Sequence, residues 1–332
     1  MKKIRSVTLP VSLAAFLTFA TLCAGCSSLS TYPVHPQANA ATDRLLSDDS
    51  LLQVEARTEL LTLGEGAMPE LRRRMDKASS TERLRVLEVM SLIGKPEALL
   101  IEASQIGAQD SSPEVRRLVA FRAGHIDGHR DELASMLQPL IWDDNDQVQA
   151  AAITTLGAFD EAHGLSDGQL RSLLSSNSHL VVATTAGIAI TNSDPTVQEA
   201  ARAVLPELVG DLASESPLIR AAAIIAIGKY GPLASPAAGP LVGALSTDPI
   251  PQIRLQAALA IMRLKNKAAE AVAIPALQQF ALDSNPALSG PAQRVLLQSG
   301  QQPGQAGSTP KNVATEHPHL PLHQPQVPAQ TK

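Results

Sequence analysis

Aromatic side chains make up 2% of this 332-residue chain, although 44% of its residues are apolar. Large globular interiors draw on Phe, Tyr and Trp for bulk. A core restricted to Ala, Leu, Ile and Val instead suits helices stacked in close layers. The same scarcity leaves no aromatic platform on which single-stranded nucleic acid would stack. Cations are sparse as well, with 27 Lys and Arg against 32 Asp and Glu, and the one tight basic run, Arg72, Arg73 and Arg74, is flanked by Glu70 and Asp76. Phosphate backbones are bound by clustered cations, so no nucleic-acid partner is expected. Cysteine occurs twice, at Cys23 and Cys26, which gives the body of the chain no disulfide framework. After residue 30 no apolar run reads as long enough to span a bilayer.

What is present is a period. Gly64, Gly94, Gly124, Gly157, Asn192, Gly228, Asn266 and Gly300 stand at intervals of 30 to 38 residues, each after an apolar stretch. Before Gly228, the residues Ile219, Ala222, Ala223, Ala226 and Ile227 recur at spacings of three and four, which puts them on one helix face. Glycine, and less readily asparagine, adopts the left-handed conformation that ends a helix, so all eight are expected at C′ positions. Ser112, Asp194, Ser216, Asp248 and Asn285 each precede a proline, the pairing of an N-cap with N1. The pattern predicts first helices of successive pairs over 48–63, 80–93, 112–123, 146–156, 179–191, 217–227, 250–264 and 286–299. Second helices fill the gaps, with an intervening one opening at Asp194 and Pro195. The fold class expected is all-α, an α-solenoid of about seven to eight helix pairs.

Asp110 with Val115 and Arg116, Asp143 with Val148, and Asp248 with Ile253 and Arg254 share an Asp five residues before an aliphatic, followed by an Ala-rich stretch. With Ala273-Ile274-Pro275-Ala276-Leu277 as the start of a second helix, this resembles the HEAT repeat in its short, PBS-lyase-like form. The resemblance runs roughly from residue 45 to 300. It implies a solenoid of HEAT-like pairs in which the Asp and Arg positions hydrogen-bond from one repeat to the next as a ladder. Val181 has no Asp five before it and Val148 is followed by Gln149, so the ladder pattern is interrupted in the middle repeats. HEAT-like hydroxylases that bind iron use His-Glu dipeptides, and this chain has none. No cofactor is expected.

At the amino terminus, Lys2, Lys3 and Arg5 precede an apolar stretch from Val11 to Leu22, and Leu22-Cys23-Ala24-Gly25-Cys26 closes it with small residues. This resembles a bacterial lipoprotein signal, which implies cleavage after residue 25 and lipid on Cys26. Palmitate and the other acyl chains would hold the protein to a membrane and leave the mature chain without a free thiol. Ser27 and Ser28 follow, and under the sorting rules of enterobacterial lipoproteins the absence of Asp there implies the outer membrane, facing the periplasm. The domain reading is a signal peptide over 1–25, a lipidated, flexible tether over 26–42, the solenoid over 43–300, and a disordered tail rich in Pro, Gln and His over 301–332. His317, His319 and His323 read as part of that solvated tail, and no metal ligand is assigned.

Charge is uneven along the solenoid. Residues 131 to 215 hold thirteen acids against Arg171 and Arg202, whereas residues 216 to 300 hold seven Lys or Arg and three acids. Trp142, the single tryptophan, precedes Asp143, Asp144 and Asp146 at the end of a second helix. These four are the candidate protein-binding residues, and the partner they imply is a basic protein. Gly164-Leu165-Ser166-Asp167-Gly168 matches the G-x-S-x-G nucleophile motif, but that chemistry needs a strand-to-helix turn, and Ser166 or Asp167 reads better as a helix cap. His125 and His129 sit beside Gly124 and Gly128 and read as loop residues. No catalytic residue is assigned. The function expected is a lipid-anchored, non-catalytic interaction scaffold. The alternatives are an envelope hydrolase or metal-dependent enzyme on the same scaffold, and a spacer without a specific partner.

Overall fold

The computed structural model describes residues 32–160 and 164–302. The expected signal peptide, Cys26 and the histidines of the tail lie outside the described residues. Everything regular in them is helical. The first helices are α2 (Ser50–Leu63), α4 (Ser80–Ile93), α6 (Pro113–Ala123), α8 (Asp146–Leu156), α10 (His179–Ala189), α13 (Pro217–Tyr230), α15 (Pro251–Leu264) and α17 (Pro286–Gln298). The second helices between them are α3 (Met68–Met75), α5 (Glu97–Gly107), α7 (Arg130–Leu137), α9 (Asp167–Leu173), α14 (Ala238–Thr247) and α16 (Lys267–Ala281). Between α10 and α13 the chain instead makes two short helices, α11 (Pro195–Ala203) and α12 (Leu205–Asp211), which accounts for the longer repeat step there. Consecutive first helices pack side by side, α6 on α8, α8 on α10, α10 on α13 and α13 on α15, so the fold is an α-solenoid.

One further helix, α1 (Ala38–Leu46), precedes the first pair and packs against α2, α3 and α4. Its Ala38, Ala41 and Thr42 are buried. The solenoid therefore begins inside the stretch read as tether up to residue 42, because those small residues supply the closing face of the first pair.

Helix starts follow a shared local rule. Asp110, Asp143, Asn192, Asp248 and Asp283 each accept a hydrogen bond from the backbone N–H two residues on, at 2.7 to 2.9 Å. Ser176 and Ser214 do the same with their hydroxyls at 3.1 and 3.3 Å. These Asx and Ser turns aim the chain into the next helix. A cap then follows at Ser112, Asn145, Ser178, Asp194 and Asn285, each side chain accepting from the first turn. Asp248 is not the cap expected of it. Pro251 occupies N1 of α15 and Ile250 the cap position, which leaves Asp248 free for the turn.

The periodic glycines divide into two kinds. Gly64, Gly94 and Gly300 have φ of 55°, 77° and 74° and stand at helix ends as expected, although Gly64, with ψ −131°, is outside the left-handed helical region. Gly124 and Gly157 stay right-handed at φ −65° and −67°. Gly228 lies inside α13, which ends at Gly231 instead, and Asn266 caps the start of α16 while Lys265 takes the left-handed position. Asn192 supplies the Asx turn. What fixes Gly157 and Gly228 is approach: a Cβ would lie 2.3 Å from Ile188 Cδ1 at the first and 3.2 Å from the Ala260 backbone at the second. Their period marks where neighbouring first helices touch.

The core is aliphatic but for buried Tyr230 and falls into two clusters. One runs from Ala38 to Val181, the other from Leu170 to Leu296, and α9 and α10 contribute residues to both. The stretch Pro217–Thr247 has the length and apolarity of a membrane span by composition alone, contrary to the reading that no such run follows residue 30. It is interrupted at Gly231 (φ 57°), and α13 packs on α10 and α15 while α14 packs on α15. Its apolarity serves the second core cluster.

Candidate functional site

The Asp and Arg positions form the ladder that the resemblance implies. Arg83 Nη1 donates to Asp110 Oδ2 at 2.8 Å. Arg116 donates to both carboxylate oxygens of Asp143, Nε at 2.7 Å and Nη2 at 2.8 Å, and Arg220 grips Asp248 in the same way at 2.7 and 3.3 Å. Each rung spans 27 or 28 residues and joins a first helix to the turn before the next. The third guanidinium nitrogen of Arg116 and of Arg220 donates to backbone carbonyls of its own turn, at Asp110 and Ser214. Burial works against the charge on all three carboxylates. Hydrogen bonds outweigh it, from Ser80, Arg83 and the turn to Asp110 and from arginine and the turn to the other two, and hold Asp110, Asp143 and Asp248 below the usual carboxylate range.

Among the described residues two rungs are missing from the middle repeats, and Arg254 of α15, which donates to the Asp248 carbonyl, forms none with Asp283. Gln149 stands at the Arg position of α8 and Ser176 at the Asp position before α10. Val182 and Ser214 fill the corresponding places on α10 and before α13. The turn survives in both cases, made by serine, but the buried ion pair is gone.

This alters the reading of the proposed binding residues. Asp143 is a ladder residue with its side chain 7% exposed and both oxygens bound to Arg116, so it offers little charge to a partner. Trp142 ends the 3-10 turn Gln138–Trp142 and is 51% exposed. Asp144 and Asp146 are exposed beside it, Asp146 accepting at 3.3 Å from Ser178 Oγ. Pro139 and Leu140 of the same turn wall an open groove of about 470 Å³ between α5 and α7, whose other lining residues include Gln105, Gln109, Asp131 and Glu132.

The remaining sequence candidates resolve into structure. Ser166 caps α9 in a capping box, its Oγ donating to Gln169 Oε1 at 2.9 Å and accepting from the Gln169 N–H. His125 packs on Phe121 and His129 faces Glu132. Arg72 pairs with Glu102 and Asp76, Arg73 and Arg74 pair with buried Glu70, and Arg74 reaches Asp43.

One cluster was not visible in the sequence. His179 at the start of α10 meets Glu207 and Asp211 of α12, with Nδ1 3.3 Å from Glu207 Oε1 and 2.7 Å from Asp211 Oδ1. Glu207 and Asp211 are four apart on a Pro-started helix, which is a readable signal for a shared face. Their meeting with His179 depends on how the extra helix α11 folds, and no local pattern encodes that.

Residues 205–296, covering α12 and most of the chain through α17, match the family model described as HEAT repeats. That segment of the chain thus carries HEAT repeats. Among solved structures it is similar to an engineered protein at 16% identity, with 80% of this chain and 79% of that one covered and a TM-score of 0.38. It is also similar to human deoxyhypusine hydroxylase in complex with glycerol, at 18% identity over 78% of this chain and 94% of that one, with a TM-score of 0.33. No curated protein gives a significant match.

Proposed function

We propose that this protein is a lipid-anchored scaffold of the cell envelope, held by Cys26 at the outer membrane and facing the periplasm, which captures a basic protein on the acidic middle of its solenoid without catalysing a reaction. HEAT repeats are interaction scaffolds, which supports the general class. The observation that carries the particular reading is Trp142, half-exposed next to Asp144 and Asp146, at the end of the turn whose Pro139 and Leu140 line the groove between α5 and α7. Large aromatics flanked by charge are favoured anchors of protein interfaces. The thirteen acids between residues 131 and 215 add a field that speeds encounter with a cationic partner.

Crosslinking the anchored protein in cells identifies the partner, and variants then divide the contributions. Asp144→Asn with Asp146→Asn should slow association and weaken its salt dependence, whereas Trp142→Ala should speed dissociation. Asp143 is left intact because its loss would disturb the fold. Unchanged kinetics in both variants would move the binding surface elsewhere or leave the protein a spacer. Cys26→Ser tests the anchor separately: it should release the protein from membranes or stall its processing, and unaltered membrane fractionation would overturn the lipoprotein reading.

A further inference from the structure

The donor atoms of His179, Glu207 and Asp211 all lie within 4.8 Å of one another. Glu207 and Asp211 are one turn apart on α12 and so project from the same side. A second, independent feature is the state of Asp211. Its side chain is 7% exposed, and while Oδ1 faces His179, Oδ2 is buried without a hydrogen-bond partner. An orphaned, buried carboxylate oxygen is costly. Elsewhere in this solenoid a buried Asp between repeats is gripped by arginine, as Asp143 and Asp248 are. Here the arginine position of α10 is Val182, and two carboxylates face a single imidazole. Even a protonated His179 would leave one negative charge uncompensated.

We propose that His179, Glu207 and Asp211 bind a divalent transition-metal ion. One imidazole nitrogen with two carboxylates is a donor set of zinc type, whereas Ca²⁺ and Mg²⁺ favour oxygen donors throughout. The ion's two charges balance both carboxylates and give the buried oxygen of Asp211 a cation to face. His179 and Glu207 are half-exposed at 53% and 42%, so the ion enters from solvent, and three protein donors leave it a position open to water. Binding requires Nδ1 to be unprotonated, so metal and proton compete for the same atom. The consequence for the fold is a metal-held tie between α10 and α12, set where the ion-pair ladder lapses.

The test is isothermal titration of the chelator-stripped full chain with Zn²⁺, with Ca²⁺ as comparator, and thermal unfolding with and without each ion. Because the tail carries His317, His319 and His323, a variant with those three changed to Ala is titrated in parallel. The proposal expects one Zn²⁺ site that survives the tail substitutions and raises the melting temperature. Ca²⁺ should not reproduce that rise. His179→Ala and Glu207→Gln, both at exposed positions that should leave the fold intact by circular dichroism, should each weaken binding about tenfold or more. Absence of a Zn²⁺ effect in the wild-type chain, equal Zn²⁺ binding in both of these variants, or its loss with the tail histidines alone would each overturn it.

Discussion

The stretches from α4 to α8 and from α13 to α15 are stitched by arginine held on a buried aspartate of the next repeat, whereas the stretch from α9 to α12 has in that role the looser, more exposed pair of Arg171 with Asp194 at 3.8 Å. Both use the same turn before each first helix, with Asp110, Asp143 and Asp248 making it in the first case and Ser176 and Ser214 in the second. The turn and the rung are thus separable. The turn needs only a short side chain with an acceptor oxygen, while the rung needs a carboxylate in the turn and a guanidinium one repeat earlier. Where the rung lapses, the second helix breaks at Val204 into α11 and α12, and acids outnumber the arginines. The middle has exchanged internal charge pairing for charge available to a ligand.

The largest effect should come from breaking a rung. Arg220→Ala leaves Asp248, whose side chain is 4% exposed, as an uncompensated buried charge, and should cost about 3 kcal/mol in urea unfolding. Gln149→Ala, at the equivalent place in the middle, should change stability by about 0.5 kcal/mol or less. Equal losses would erase the distinction between the two regions.

Acid should separate them next. Asp110, Asp143 and Asp248 are held below the ordinary carboxylate range, against their burial, by hydrogen bonds from Ser80 in the first case and from their arginines and turns in all three. The stabilisation they give is present above the unfolded Asp value of about 3.9 and is lost as pH falls through their lower folded values. Unfolding followed from pH 6 down to about 2 should therefore show the stability of the laddered repeats declining below about pH 4. Asp143→Asn should be less stable near neutrality and show a shallower decline. An unchanged slope would mean that Asp143 is not linked to folding.

The smallest effect is the most specific. Gln149→Arg combined with Ser176→Asp installs a rung at the 27-residue spacing of Arg83 with Asp110 and Arg116 with Asp143. A double-mutant cycle should give a favourable coupling of about 0.5 to 1 kcal/mol. Zero coupling would show that more than these two residues distinguishes the middle.

Much of this comparison was written in residue spacing. Helix positions were legible because apolar residues recur at three and four and proline marks N1, so α4 and α8 fall at their predicted bounds of 80–93 and 146–156. The interruption at Gln149 and before Val181 was legible for the same reason. The roles of Gly157 and Gly228 were misread, since a helix-ending residue and a close-packing residue leave the same period in a sequence. Only the neighbouring helix, with Ile188 against Gly157 or Ala260 against Gly228, distinguishes them. Asp143 was grouped with Asp144 and Asp146 because adjacency in sequence hides that the first points into a rung and the others into solvent. The meeting of His179 with Glu207 and Asp211 was out of reach, since it joins residues 28 and 32 apart through an irregular pair of helices.

Native-state hydrogen exchange on the folded chain tests the contrast between the two regions most directly. Amides report local opening free energies, and nearest-neighbour coupling in a solenoid lets adjacent repeats differ. Core amides of α9 to α12 should exchange about tenfold or more faster than those of α13 and α15, because the ties between repeats there lack a rung. Uniform protection from α9 through α15, or slower exchange in α9 to α12, would contradict the claim that the ladder divides this solenoid into firmly and loosely joined repeats.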